Sequence, residues 1–285
     1  MKPAAFELHA PESIDDVVAL LTEHGDEVKV LAGGQSLVPM LALRLTRFEH
    51  LVDVNRVPAL AGVEARDGQL RIGATTRHRT VEQSTDVVSA VPLLARATAN
   101  VGHFQIRNRG TLGGAVAHAD PAAEQPAVAV ALDAVIEIAA QGSTRDVAAA
   151  DFFKGTWTTA LEPEELLTAV RFPVWSGRCG SAVEEVARRA GDFALVGAVC
   201  AIALGDDGVE RAAIALFGVG DTPVRASEAE AVLTQGGDAA EAAARAVDVI
   251  EPIDDLHASA AYRRTVAGVV VRRAIERAKE EAARA

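Results

Sequence analysis

Two glycine pairs, Gly33-Gly34 in LAGGQSLVP and Gly113-Gly114 in GTLGGAVAHADPAAE, are the residues of this chain whose spacing suits chemistry. A Gly-Gly turn after a strand lets successive backbone N–H groups close around an anion as a concave nest, without a lysine. Ser36 adds a hydroxyl to the first loop and Thr111 adds one to the second. A helix opening near Leu37 would aim its free N–H groups and positive dipole end at the same place. His118, Asp120 and Glu124, just beyond the second pair, supply polar groups suited to ribitol or ribose hydroxyls. Two nests suit a ligand with two phosphates, such as a dinucleotide. Neither loop has the G-x-G-x-x-G or Walker A spacing, which argues against an ordinary NAD-binding fold or a nucleotide triphosphatase. Gly218-Val219-Gly220 runs into Asp-Thr-Pro and reads as a turn.

The elements that must position these loops follow from periodicity. Ser13 opens a helix with apolar Val17, Val18, Leu20 and Leu21, and the strand VKVLAG then runs into Gly33. SLVPMLALRL has leucines at helical spacing, with Pro39 limiting how early regular hydrogen bonding begins. HLVDV and LRIGATT read as strands separated by a turn at Asp67 and Gly68, and TVEQSTDVVSAVPLLARATANVG as one helix interrupted near Pro92. After the second glycine loop comes an Ala- and Val-rich buried helix, then the alternating strand VIEIAA. ELLTAVRFP is a short apolar stretch ending at Pro173, and SGRCGS beyond it has the composition of a domain junction. SAVEEVARR, ALVGAVCAIAL and ERAAIALFGVG predict a three-stranded antiparallel sheet, followed from Ser227 by Ala-, Glu- and Arg-rich helices. This places a first domain at 1–175, with lobes at 1–55 and 56–175, and a second at 176–285.

With 285 residues, 49% of them hydrophobic, the chain can bury one large core or two modest ones. Aromatic residues are 4%, so that core must be built from small aliphatic side chains. The formal net charge of −12 excludes nucleic acid as the main partner. The two cysteines, Cys179 and Cys200, form no C-x-x-C pair, so no iron–sulfur cluster can be built from this chain alone. There is no signal-peptide pattern at the start and no apolar run of bilayer-spanning length, and the expected location is the cytoplasm.

Other conspicuous side chains have plainer readings. His103 and His118 are read as hydrogen-bonded structural residues rather than bases. Cys200, in an apolar strand, is read as inert, and Asp254 and Asp255 as caps of the following helix. Arg188 and Arg189 either pair with the acidic surface or face a partner.

AGGQSLVPML, VGHFQIRNRGTLGGAVAHADPAAE and RRAGDFALVGA, in that order and spacing, resemble the motifs of the FAD-binding medium subunit of the carbon monoxide dehydrogenase/xanthine dehydrogenase family of molybdenum hydroxylases. The resemblance implies an α+β fold: a two-lobed FAD-binding domain of the vanillyl-alcohol-oxidase/PCMH type, then a C-terminal three-stranded antiparallel sheet with helices. It also implies a noncovalently held FAD. Leu31, Ala32, Gly33, Gly34, Gln35, Ser36 and Leu37 correspond to the first FAD loop, and Thr111, Gly113 and Gly114 to the second. His118, Asp120 and Glu124 continue that loop toward the ribityl chain. Leu166 and Leu167 correspond to apolar positions near the cofactor, and Phe193 to an aromatic beside the flavin ring. Where many relatives carry Asn after the second glycine pair this chain has Ala115, so one side-chain hydrogen bond to the cofactor is missing or is supplied by a neighbour.

The implied activity is that of an oxidoreductase subunit without catalytic side chains or a metal of its own. It would take electrons from [2Fe–2S] clusters of a small subunit and pass them through FAD to a quinone, NAD or oxygen. Molybdopterin would sit on a large subunit, in a dimer of heterotrimers. Two alternatives stand beside this: a stand-alone flavin oxidoreductase resembling the enolpyruvyl-glucosamine reductases, and an assembly scaffold that has lost its cofactor.

Overall fold

The computed structural model describes residues 2–285 and is mixed helix and strand. A small parallel sheet opens the chain, with Glu7–His9 and Val28–Leu31 flanking His50–Asp53. Helix Ile14–His24 covers it, capped by Ser13, whose side chain accepts from the Asp16 N–H; Val17, Val18 and Leu21 form the buried stripe. Val28–Leu31 is the strand that delivers the chain into the first glycine pair.

A five-stranded antiparallel sheet follows, in the spatial order Val63–Arg66, Gln69–Gly73, Leu166–Pro173, Val135–Ala140, Ser143–Ala148. ELLTAVRFP is thus the central strand of this sheet. It is buried on both faces, so its sequence shows a continuous apolar run instead of an alternation. The turn at Asp67 and Gly68 joins Val63–Arg66 to Gln69–Gly73, whereas HLVDV belongs to the parallel sheet. The stretch read as one interrupted helix is three: His78–Gln83, Thr85–Ala90 and Pro92–Asn100. Ser84 ends the first and caps the second through the Val87 N–H, and Pro92 starts the third at a position where its missing N–H costs nothing.

The C-terminal antiparallel sheet has Arg178–Ala187, Ala194–Leu204 and Val209–Phe217, as expected, and a fourth strand, Val224–Arg225. Two residues are too few to leave a periodic trace in sequence. This sheet is covered on both faces. Val196, Ala198, Cys200 and Ile202 pack on helices Ser227–Thr234, Ala239–Asp248 and Ala260–Arg284, while Val199 and Ala201 join the core of the first sheet. Helix Glu124–Ala131 is sandwiched in that shared core with all eight residues buried, which explains its lack of a polar face. Cys200 is fully buried and its thiol pKa is pushed up by burial, as an inert core residue requires. Asp255 accepts from the His257 and Ala258 N–H groups and binds Arg263, and the Asp254 carboxylate accepts from Ala260 N–H at the start of the last helix. Among the described residues, no helix is long and apolar enough to cross a membrane.

Candidate cofactor-binding site

The two glycine loops are in van der Waals contact. A Cβ built on Gly33 would stand 2.5 Å from the Arg109 carbonyl oxygen and 2.7 Å from the Gly110 Cα, so the chains pass one another at a distance only glycine permits. Gly34, at φ +71°, makes the turn that redirects the chain into helix Leu37–Ala42.

Among the described residues, the N–H groups of Gly33, Gly34, Gln35, Ser36 and Leu37 donate to no protein acceptor. Gln35 stabilises the turn by donating from its side chain to the Gly33 carbonyl at 3.0 Å, and the Ser36 hydroxyl makes no capping bond. A run of free, half-buried donors is an anion cradle, because partly buried amides lose free energy when unpaired. The helix that follows has six residues, so the amides themselves, rather than a long macrodipole, supply the positive field.

The second loop is built differently. Thr111 Oγ1 accepts from the Gly114 N–H at 3.1 Å as an N-cap. Leu112 N–H donates to Thr76 O, Gly113 N–H to Ala74 O and Ala115 N–H to Thr111 O. These donors are already engaged, so this segment contributes a close-packed wall while the first loop contributes the open amides. The expected pair of equal nests is therefore one open cradle against one closed turn. The difference arises because the tertiary partners Thr76 and Ala74 lie on a segment remote in sequence.

Asn55 and Arg77, which sequence reasoning missed, tie the loops together. Asn55 Nδ2 donates to the Ala32 carbonyl at 2.9 Å, Arg77 Nη2 to Asn55 Oδ1 at 2.6 Å, and Arg77 Nη1 to the Arg109 carbonyl at 2.6 Å. Arg77 also forms an isolated β-bridge with Thr111. Burial lowers the Arg77 pKa, the Arg109 charge lowers it further, and Asp53 opposes both. No local signal marks such a chain of long-range contacts.

Beyond the second loop, His118 ends the short helix Leu112–His118, and its ring stacks on Trp157 with 6.2 Å between centroids. Trp157 donates from its indole toward Asp120 at 3.4 Å and from its backbone to Ala119 O at 3.1 Å. Burial lowers the His118 pKa, with the Asp120 charge opposing. Asp120 Oδ1 accepts from the Ala122 N–H at 2.9 Å. Glu124 is buried; desolvation, with the Glu185 and Asp120 charges adding, pushes its pKa up to about 8. A backbone hydrogen bond opposes the shift, and the balance favours the protonated carboxyl near neutral pH. Trp157 is a third residue that sequence reasoning missed.

Leu166 and Leu167 are both buried and sit in separate hydrophobic clusters on opposite faces of their strand. Phe193 is 62% exposed, immediately before the strand Ala194–Leu204. The adjoining Gly191 packs on the His103 ring, and Ala190, Gly191, His103, Phe104, Asn100 and Glu185 border a cavity of about 640 Å³ between the two parts of the chain.

The residues present fit a flavin dinucleotide: an open amide cradle, a wall that would not admit a Cβ, and polar groups leading away from it. The family model described as the FAD binding domain in molybdopterin dehydrogenase matches residues 4–175, and that of the CO dehydrogenase flavoprotein C-terminal domain matches residues 181–278. The 6-hydroxypseudooxynicotine dehydrogenase complex subunit alpha of Paenarthrobacter nicotinovorans is 39% identical, covering 99% of this chain and 97% of that protein. The carbon monoxide dehydrogenase medium chain of Hydrogenophaga pseudoflava is 38% identical, covering 98% of both. A solved structure of carbon monoxide dehydrogenase from the same organism superposes with a TM-score of 0.96 over 99% of both chains at 38% identity. Quinoline 2-oxidoreductase from Pseudomonas putida 86 superposes with 0.93 over 99% of both chains at 37% identity. The chain therefore belongs to the FAD-binding medium subunits of the carbon monoxide dehydrogenase/xanthine dehydrogenase family of molybdenum hydroxylases.

Proposed function

We propose that this subunit holds FAD noncovalently, receives electrons from [2Fe–2S] clusters on a small subunit and delivers them to an external acceptor, a quinone, NAD or oxygen. Substrate oxidation is assigned to a molybdopterin-bearing large subunit, in a dimer of heterotrimers. Bound FAD supplies redox chemistry that bridges one-electron and two-electron partners. The observation that carries this reading is the run of free amides at residues 33–37 facing the closed turn at 109–114.

In this reading residues 31–37 grip the pyrophosphate, with Ser36 adding its hydroxyl, and Thr111, Gly113 and Gly114 close the opposite side. His118, held by Trp157, and Asp120 meet the ribityl and ribose hydroxyls. Glu124, its protonated carboxyl favoured near neutral pH, offers a hydrogen-bond donor there. Leu166 and Leu167 give the apolar backing near the cofactor. Phe193, an exposed aromatic, shields the flavin ring from water. Residues 1–175 act as the cofactor-binding domain and 176–285 as the C-terminal flavoprotein domain. Two cysteines, Cys179 and Cys200, are too few to ligate a [2Fe–2S] cluster, which supports clusters on another chain.

The test is direct. The purified chain, loaded with FAD, should contain flavin and no iron, and should be reduced rapidly by a reduced iron–sulfur subunit but not by organic substrates. Turnover of an organic substrate by the isolated chain would establish the stand-alone alternative instead.

A further inference from the structure

We propose that His9, His24 and His50 form a binding site for a first-row divalent transition metal, separate from the flavin cleft. Among the described residues, one nitrogen from each ring lies within 4.8 Å of the other two. Position in the fold makes this convergence a consequence of topology. His9 and His50 lie on adjacent parallel strands. His50 pairs with Glu7, and since side chains alternate along a strand, Glu7, His9 and His50 share one face. His24 sits in the last turn of helix Ile14–His24, which packs over that face, where a helix C-terminus favours a cation.

The local distances suit a tetrahedral imidazole site. His9 Nε2 and His50 Nδ1 are 3.1 Å apart, close to the edge of about 3.3 Å between two nitrogens each about 2.0–2.1 Å from a zinc ion. Glu7 Oε2 lies 3.8 Å from His50 Nδ1 and can serve as a fourth ligand or accept from a metal-bound water. His24 stacks on His50 with 3.8 Å between ring centroids. Stacked rings aim their in-plane lone pairs side by side, so His24 must swing about its side-chain bonds to complete the set. All three residues are half-buried, which leaves that freedom and an entry path. Imidazole nitrogens with a carboxylate select zinc, nickel or copper over calcium or magnesium.

Zinc alone is the probe. Titrated into the full chain carrying its flavin, Zn2+ should bind in a complex stoichiometric with the chain at micromolar concentration and raise Tm, with the flavin spectrum unchanged. Co2+ in its place should give the intense visible bands of tetrahedral coordination. His24→Gln, on a half-exposed side chain of the helix end, should weaken binding by roughly tenfold or more, the least expected for loss of a ligand, since outer-shell changes alone cost ~10–100-fold. His9→Gln should do the same, and far-ultraviolet circular dichroism of the metal-free variants verifies their fold. Binding that survives both substitutions, binding seen only at millimolar zinc, or perturbed flavin absorbance would overturn the proposal.

Discussion

The Gly33 Cα and the Arg109 carbonyl oxygen are so close that a methyl group on Gly33 would sit 2.5 Å from that oxygen. The opposing atom is backbone, so neither side can yield cheaply. Gly33→Ala should therefore part the two loops, cost ~1–3 kcal/mol of stability and abolish FAD retention. Gly34 fails differently. Its φ of +71° strains any substituent, and Val38 and Leu31 side chains lie 3.1 and 3.3 Å from a built Cβ. Gly34→Val should lose flavin while circular dichroism shows the fold largely intact. Wild-type flavin content in both variants, read from absorbance after acid release, would falsify the cradle.

Thr111 caps its helix through one hydroxyl, so its contribution separates from shape. Thr111→Val keeps the volume and strands the Gly114 N–H. The expected cost is about 1 kcal/mol of stability, typical for loss of an N-cap. Thr111→Ser retains the acceptor and should restore most of it. Equal melting temperatures for the valine variant and wild type would remove the capping role.

Both glycine pairs were legible because backbone requirements are written in residue type, and the order of three motifs made the family legible too. Contacts between remote segments were not. Arg77, Asn55 and Trp157 act on segments 22 to 37 residues away in sequence: Arg77 reaches Asn55 and Arg109, Asn55 reaches Ala32, and Trp157 reaches Asp120. Ala32 and Ala74 could not announce their pairings either, since alanine carries no polar mark. The central strand Leu166–Pro173 was read only as an apolar stretch because burial on both faces erases alternation. Phe193 shows the converse: its type was conspicuous, but nothing local foretold an aromatic left 62% exposed.

Arg77 provides the sharpest test of loop coupling. Its guanidinium donates to Asn55, which holds the first loop, and to the Arg109 carbonyl, which holds the second. Hydrogen bonds from a charged donor are worth ~1.5–3 kcal/mol, so Arg77→Met should weaken FAD binding roughly 10–100-fold. Fluorescence titration of the apoprotein with FAD measures this directly. Asn55→Ala should weaken binding in the same direction. The double variant should be less than additive, because both substitutions break one chain of contacts. Full additivity would show that the two residues act independently.

Glu124 makes stability depend on pH in a direction opposite to most carboxylates. Its folded-state pKa is raised to about 8, so the folded protein holds the proton more tightly than the unfolded chain. Its favourable contribution is complete below the ordinary glutamate pKa and is lost as pH rises through about 8. His78 works on the other side. Burial lowers its pKa to about 4, so its contribution is present above 6.5 and lost as pH falls through about 4. Between pH 6.5 and pH 8.5 burial also raises the pKa values of Glu185, Cys179 and Cys200, so Glu124 is isolated by comparison with a variant that shares those groups. Over that window the Tm of the flavin-free wild type should fall relative to that of Glu124→Gln, which keeps the shape without the charge. The gap should widen by several degrees, given about 2–4 °C per kcal/mol for domains of 150–250 residues. Parallel curves for the two proteins would show that Glu124 ionises freely, and with it would go its assignment as a neutral donor to the cofactor.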